Sequence, residues 1–288
     1  VLRPPAGQEL VVTVDTLIEN VHFPVHTDAG SIGHKALAVN LSDLAAMGAQ
    51  PAWVLLALTV PEPDEKWLQE FARGFFELAS QYNVQLVGGD TTRGSLSVTV
   101  QAMGFVPVGG ALGRGGARAG DTLYVTGSVG DAGLGLRRPS GLPRDQLDFL
   151  TARLNRPSPR IDEGLRLRDI ASSAIDVSDG LTADLGHVLA ASAVGAEIES
   201  EALPLCGAVK NYVQQTSDWS LPLQAGDDYE LLFTVPPARM ELLQRRFADS
   251  ATSVTPIGMI VANPGLLVRT GSNERLFLQG TGYDHFGR

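Results

Sequence analysis

Cysteine is nearly absent: Cys206 is the only one in 288 residues. That excludes an intramolecular disulfide framework and fits a reducing, cytoplasmic compartment. Lysine is almost as scarce, occurring only at Lys35, Lys66 and Lys210, so arginine supplies the remaining positive charge. With 32 acids against 22 Lys and Arg, the formal net charge is −10. Such a balance argues against nucleic acid or an anionic membrane as a partner. No apolar run approaches the roughly 20 residues that cross a bilayer. No secretory signal is expected either, although Val1 is not a natural start and the true N-terminus lies out of view.

Several catalytic templates are also missing. There is no G-x-x-x-x-G-K-[ST], and none of the three lysines lies in a glycine-rich loop, which excludes a P-loop. A kinase-type catalytic loop, a DFG-like motif and a G-x-S-x-G elbow are absent. "GSVGDAG" (127–133) lacks dinucleotide-fingerprint spacing. "DVSDGLTADLGH" looks like an EF-hand loop only superficially. Its glycine comes one position early, and His187 stands where the bidentate Glu belongs. Cys206 has no adjacent activating residue.

What is present is a chain 44% hydrophobic, long enough for one large domain or two ordinary ones. "LVVTVD" (10–15) reads as a strand ending at Asp15. "SIGHKALAVNLSDLAAMG" (31–48) reads as a helix capped by Ser31 and stopped by Gly48, apolar nearly all round. A buried strand over 52–61 precedes a helix capped by Asp64, with Trp67, Phe71, Phe75 and Leu78 at helical spacing. Strands follow at 84–90 and 96–106. The glycine-rich "VGGALGRGGARAGD" (108–121) is the best boundary candidate, giving domains 1–117 and 118–288. Beyond it come a strand at 122–127, a helical region to about 172 broken by "RPSPR" (156–160), and further strand–helix alternation. An α/β or α+β class with two domains is expected.

Five stretches share one pattern, an apolar segment delivering a carboxylate beside glycine or a hydroxyl. They are "TVDT" (13–16), "NLSDLAAMG" (40–48), "VGGDTTRG" (87–94), "IDVSDG" (175–180) and "AGDDYEL" (225–231). Asp15, Asp90 and Asp176 are read at strand ends, and Asp43 within a helix. A lone Asp after a strand is ordinarily an N-cap or turn residue. Five recurrences weigh against that reading for all of them. Hard divalent cations want oxygen ligands of this kind, and Mg²⁺ takes one or two carboxylates plus substrate phosphates. Among the histidines, His22 lies close enough to Asp15 in sequence to reach a phosphate or substrate group. His26 and His34 read as surface or helix positions, His187 as packing on its helix, and Asp184 as structural.

Taken together, "VDTLIENVHF", "KALAVNLSDLAAMGAQPAW", "LVGGDTTRG", "RPSPR", "AIDVSDGLTADLGH", "AGDDYELLFTVP" and the terminal "GYDHF" resemble the thiamine-monophosphate kinases. That family belongs to the superfamily of AIR synthase and selenophosphate synthetase, and the resemblance covers nearly the whole chain. It implies phosphoryl transfer from ATP to thiamine monophosphate, giving thiamine diphosphate in one step. It also implies two AIR-synthase-like α/β domains, with the N-terminal domains of a homodimer pairing into a β-barrel. By motif matching, Thr13, Asp15, Asp43, Asp90, Asp176 and Asp179 fall where the family holds several Mg²⁺ ions. Gly89, Asp90, Arg114 and Ser178 fall where it contacts ATP; His22, Asp227 and Tyr283 fall where it contacts the thiamine phosphate.

The chemistry agrees with that assignment. The acceptor is a phosphate oxygen with a second pKa of about 6, already largely ionised near pH 7. It needs positioning and charge neutralisation, not a general base. Three departures stand out. The family carries a glycine and double-aspartate motif just upstream of the first strand, so further ligands are expected before Val1. Val14 replaces a usual hydroxyl residue, and Ala225 and Asp227 stand where Gly and Glu are usual. The competing readings are another ATP-dependent superfamily enzyme, such as an AIR synthase, and a non-catalytic Mg-ATP-binding protein.

Overall fold

The computed structural model describes residues 1–271, 274–276 and 282. It divides into two compact units. Unit 1 is Val1–Ala111 with Asn155–Ile161, and unit 2 is Leu112–Leu154 with Asp162–Arg288.

Unit 1 carries β1 (Gln8–Ile18), α1 (Ala29–Ala46), β2 (Gln50–Val60), α2 (Glu65–Gln81), β3 (Gln85–Arg93) and β4 (Ser97–Pro107). The strands lie in the order β1-β4-β2-β3. β4 is antiparallel to both β1 and β2, and β3 is parallel to β2. Side chains alternate along β1: Val11, Thr13, Asp15 and Leu17 are the more covered set, while Val12, Val14 and Ile18 are exposed. That is the period of two of a strand with one covered face. Both β1 and β3 outrun their expected ends. Pairing of Leu17 and Ile18 with Val98 and Ser97, and of Thr91–Arg93 with Leu58–Val60, places Asp15 and Asp90 mid-strand.

The all-apolar α1 has a simple cause. It contacts β1, β4 and β2 and also packs against α2, so few of its residues reach solvent. The two helices touch main chain to main chain. A Cβ on Gly74 would stand 1.8 Å from the Gly30 carbonyl oxygen, and one on Gly33 2.1 Å from that of Phe71. Ser31 is not the N-cap. The helix begins earlier, and Asp28 caps it by accepting the Ser31 N–H at 2.8 Å. Asp64 caps α2 as expected, accepting from Lys66 and Trp67. The "RPSPR" segment is bound into unit 1: Tyr82 donates to the Pro159 carbonyl, Arg156 pairs with Glu77, and His34 Nε2 meets the Pro157 carbonyl at 2.9 Å.

Unit 2 contains β5 (Thr122–Thr126), α3 (Asp131–Arg137), α4 (Arg144–Asn155), α5 (Ile161–Leu167), β6 (Ser173–Asp176), α6 (Leu181–Ser192), β7 (Gly195–Glu199), α7 (Gly207–Thr216), α8 (Ser220–Gln224), β8 (Leu231–Val235), α9 (Met240–Phe247), β9 (Val254–Val261) and β10 (Gly265–Arg269). α4 and α5 flank the segment that belongs to unit 1. The sheet order is β10-β7-β9-β5-β8-β6, with β10–β7 as its parallel pair. Leu123, Val125, Ile175, Leu181, Leu185, Val188, Leu232 and Ile257 form part of its core. Both sheets are therefore mixed. Neither closes into a barrel among the described residues.

Candidate active site

In unit 1, Thr13 and Asp43 meet: the Thr13 hydroxyl donates to an Asp43 carboxylate oxygen. Beside them the Asp15 main-chain N–H donates to Asn40 Oδ1 at 3.1 Å, and Asn40 is anchored by its amide on the Ala36 carbonyl. Asn40 and Asp43, one turn apart on α1, thus fix the β1 segment that carries Asp15. Val14 points the other way, on the exposed face.

His22 sits on the loop after β1. Its Nδ1 accepts the Ile18 N–H at 3.0 Å, which puts the proton of the neutral ring on Nε2. Its carbonyl accepts from Lys35 Nζ at 3.0 Å, a lysine fully buried in α1. Sequence reading assigned no role to that lysine.

Gly89 and Asp90 lie elsewhere. Across the sheet Asp15 pairs with Val100, Val100 with Leu56, and Leu56 with Gly89. Three strand spacings, about 14 Å, therefore separate Asp15 from the Gly89–Asp90 edge. Gly89 has no substitute there, since a Cβ would stand 1.9 Å from the Leu56 carbonyl oxygen. Asp90 is exposed and accepts the Thr91 N–H.

In unit 2, three loops are tied together. Asp176 ends β6, buried, and Ser178 and Asp179 follow, partly exposed. Loop 225–229 is laid along this turn: the Asp227 N–H donates to the Ser178 carbonyl at 2.9 Å, and the Tyr229 N–H to that of Val177 at 2.8 Å. A Cβ on Gly226 would stand 2.2 Å from the Ser178 carbonyl oxygen. Asp227 and Tyr229 both have positive φ, 70° and 50°, a conformation uncommon outside glycine and costly for a bulky residue. The Tyr229 hydroxyl donates to Asp227 Oδ1 at 3.2 Å. On the other side, the Gly113 carbonyl accepts the Ala174 N–H, and Ser192 holds Arg114, Gly116 and Ala117 through their main chains. Arg114 itself is exposed.

Asp184 is the main correction to the sequence reading. It does not face away on α6. Its Oδ2 accepts the N–H groups of Ser178, Asp179 and Gly180 at 3.0, 3.1 and 3.2 Å. Burial, with Asp179 adding to it, pushes its pKa up to about 7 against those three bonds. The signal lay in an acid placed in the first turn of a helix, where orphan N–H donors collect. Gly180 (φ 118°) permits the turn, because a Cβ would meet the Gln224 carbonyl oxygen at 2.6 Å.

The remaining acids of "AGDDYEL" are structural. Asp228 accepts from Gly130 and Ala132 at the start of α3, and Glu230 is held by Thr126 and Arg153. Burial, reinforced by Asp131, pushes Asp228 up to about 8. Burial likewise pushes the Cys206 thiol up to about 12, out of nucleophilic range. His187 is exposed on α6. Tyr283 lies outside the described residues. Its neighbour Gly282 is close to the turn, where a Cβ would stand 2.6 Å from the Asp179 carbonyl oxygen.

Among the described residues no three His, Cys, Asp or Glu side chains gather as a ready-made metal cage. The carboxylates stand singly or beside one another on a turn, all with oxygen donors. That suits magnesium, which completes its shell with water and substrate phosphate, better than zinc or calcium.

Comparison with known proteins gives a consistent result. The AIR synthase related protein N-terminal domain matches residues 1–106, and the AIR synthase related protein C-terminal domain matches 118–269. The chain is 46% identical to thiamine-monophosphate kinase of Escherichia coli (strain K12), over 99% of this chain and 89% of that protein. It is 36% identical to that of Bacillus subtilis (strain 168), over 97% and 89%. The crystal structure of thiamine-monophosphate kinase from Stenotrophomonas maltophilia K279a superposes with a TM-score of 0.88 at 46% identity, over 93% of this chain and 87% of that one. AaThiL complexed with AMPPCP and TMP superposes at 0.85 with 31% identity, over 99% and 89%. The chain belongs to the thiamine-monophosphate kinase family, on the two-domain fold of the AIR synthase related proteins.

Proposed function

We propose that this chain transfers the γ-phosphoryl group of ATP directly to the phosphate of thiamine monophosphate, releasing ADP and thiamine diphosphate, the last step of thiamine diphosphate synthesis. The observation that carries this reading is 46% identity to a thiamine-monophosphate kinase across 99% of the chain. The complex of a relative with AMPPCP and TMP supports the same pair of substrates.

On this reading Thr13, Asp15, Asp43 and Asp90 of the N-terminal domain, and Asp176 and Asp179 of the C-terminal domain, hold Mg²⁺. The N-terminal domain on this reading spans 1–117 and the C-terminal domain 118–288. Bound Mg²⁺ would neutralise the phosphates of both substrates, the charge stabilisation that phosphoryl transfer needs. Thr13 orients the Asp43 carboxylate through its hydroxyl. Gly89, Asp90, Arg114 and Ser178 contact ATP. His22, Asp227 and Tyr283 contact thiamine monophosphate, with His22 offering its Nε2–H to phosphate. No side chain has to take a proton from the acceptor oxygen, which is already ionised.

The enzyme acts as a cytoplasmic homodimer, with no nucleic-acid or membrane partner. Supporting the dimer is the uncovered face of the unit 1 sheet. Leu10, Val12, Val14 and Ile18 are exposed along β1, Val14 at 60%. A row of exposed apolar side chains of this kind on one face of an edge strand marks an interaction surface. Incubating the protein with ATP, Mg²⁺ and thiamine monophosphate and resolving the products tests the function. Thiamine diphosphate and ADP in equal amounts are expected. ATP turnover with formylglycinamidine ribonucleotide instead, or ATP binding with no transfer, would overturn it.

A further inference from the structure

Asp184 belongs to none of the contacts assigned above, yet it makes three hydrogen bonds to the one turn that carries Ser178 and Asp179. Its side chain is 3% exposed, and a single oxygen gathers three successive N–H groups within 3.2 Å. Such a run of donors at a helix N-terminus is a nest that ordinarily takes an external anion. Here the protein fills it with its own carboxylate. The turn is thereby fixed from the donor side.

The acceptor side of the same turn is also spoken for. The Ser178 carbonyl takes the Asp227 N–H and the Val177 carbonyl takes that of Tyr229. Gly226 comes so close to Ser178 that no side chain could intervene. A continuous chain of bonds therefore runs from Asp184 through 178–180 to 227–229. It links the residue read as a metal ligand, Asp179, to the residue read as a substrate contact, Asp227.

We propose that Asp184 is a positioning residue that sets both magnesium affinity at Asp179 and thiamine monophosphate affinity at Asp227, without touching either ligand. This rests on the functional reading above. Its Oδ2 is committed to three main-chain donors, so it acts through the turn.

The test compares wild-type, Asp184→Ala and Asp184→Asn, with Gly74→Ala in unit 1 as a destabilised control. Calorimetric titration of Mg²⁺ in the presence of AMPPCP is read alongside KM for thiamine monophosphate and thermal midpoint. Asp184→Ala is expected to weaken Mg²⁺ binding about 10-fold or more, the scale of losing a group that orients a metal ligand, and to raise KM. Asp184→Asn keeps an acceptor but exchanges charge-assisted bonds for neutral ones, so it should fall between, about 3-fold weaker. Gly74→Ala should lower the thermal midpoint and leave both affinities alone. Mg²⁺ affinity and KM in Asp184→Ala matching the wild type, whatever its thermal midpoint, would overturn the proposal. Should the alanine variant not fold, wild-type affinities in Asp184→Asn would do so. Wild-type protein that makes no thiamine diphosphate would instead overturn the functional reading.

Discussion

The main-chain N–H of Asp227 donates to the carbonyl of Ser178 at 2.9 Å. Through that bond the turn after β6 and the loop before β8 are one object, although 49 positions separate them in sequence (227 − 178). Gly226 makes the approach possible, and the left-handed backbone of Asp227 and Tyr229 is the strain this packing supports.

Tyr229→Phe removes the hydroxyl that donates to Asp227 Oδ1. A hydrogen bond worth about 1 kcal/mol corresponds to about 5-fold in affinity. KM for thiamine monophosphate should rise by that factor while KM for ATP stays put. Steady-state kinetics varying each substrate in turn checks it; an equal rise in both would contradict the assignment of Asp227.

Thr13→Val keeps the shape of the side chain and deletes its bond to Asp43. Activity should fall about 10-fold at limiting Mg²⁺, with much of it recovered at high Mg²⁺, as expected when a ligand loses its orienting partner. Circular dichroism should be unchanged.

Gly74→Ala places a Cβ 1.8 Å from the Gly30 carbonyl oxygen, so α1 and α2 must move apart. A destabilisation of about 1–3 kcal/mol is expected, as for overpacking generally, read from urea denaturation. The kcat of the folded protein should not change.

His34 gives unit 1 a pH dependence. Burial holds its pKa below the ordinary value, with nearby Arg156 adding to the effect and the bond to Pro157 opposing it. Nε2–H serves the Pro157 carbonyl, and Nδ1 is buried without a hydrogen-bond partner among the described residues. The native state thus resists a proton that the unfolded chain accepts near pH 6.5. The His34 contribution to stability should fall as pH drops below about 6.5, while Asp184 and Asp228, held above the ordinary carboxyl range, push the other way over the same interval. Comparing His34→Gln with the wild type isolates the histidine: between pH 7.5 and 5.5 the urea midpoint of the variant should lose less, or gain more, than that of the wild type, and an equal change in both would contradict it.

How legible this was varied with the range of the cause. Trp67, Phe71, Phe75 and Leu78 announce α2 because the period is local, and Asp64 announces its start. The ends of β1 and β3 are set by pairing with β4 and β2, which composition does not encode. Ser31 looks like the cap from sequence because Asp28, the true cap, lies outside the apolar pattern. The acidic stretches stood out by repetition. Which of their acids turn inward did not: Asp227 and Asp228 are neighbours, yet one is partly exposed and the other closes the start of α3. The role of Asp184 is hidden from sequence because its partners are main-chain groups, invisible to any motif of side chains.

The central claim is a single direct transfer between two phosphates, and the configuration at the transferred phosphorus tests it most directly. ATP made chiral at its γ-phosphorus with the three isotopes of oxygen would be turned over with thiamine monophosphate and Mg²⁺. The account predicts thiamine diphosphate inverted at its terminal phosphorus, with one ADP formed per product. Retention would mean a phosphorylated protein intermediate, for which no nucleophile is assigned, and would contradict the account.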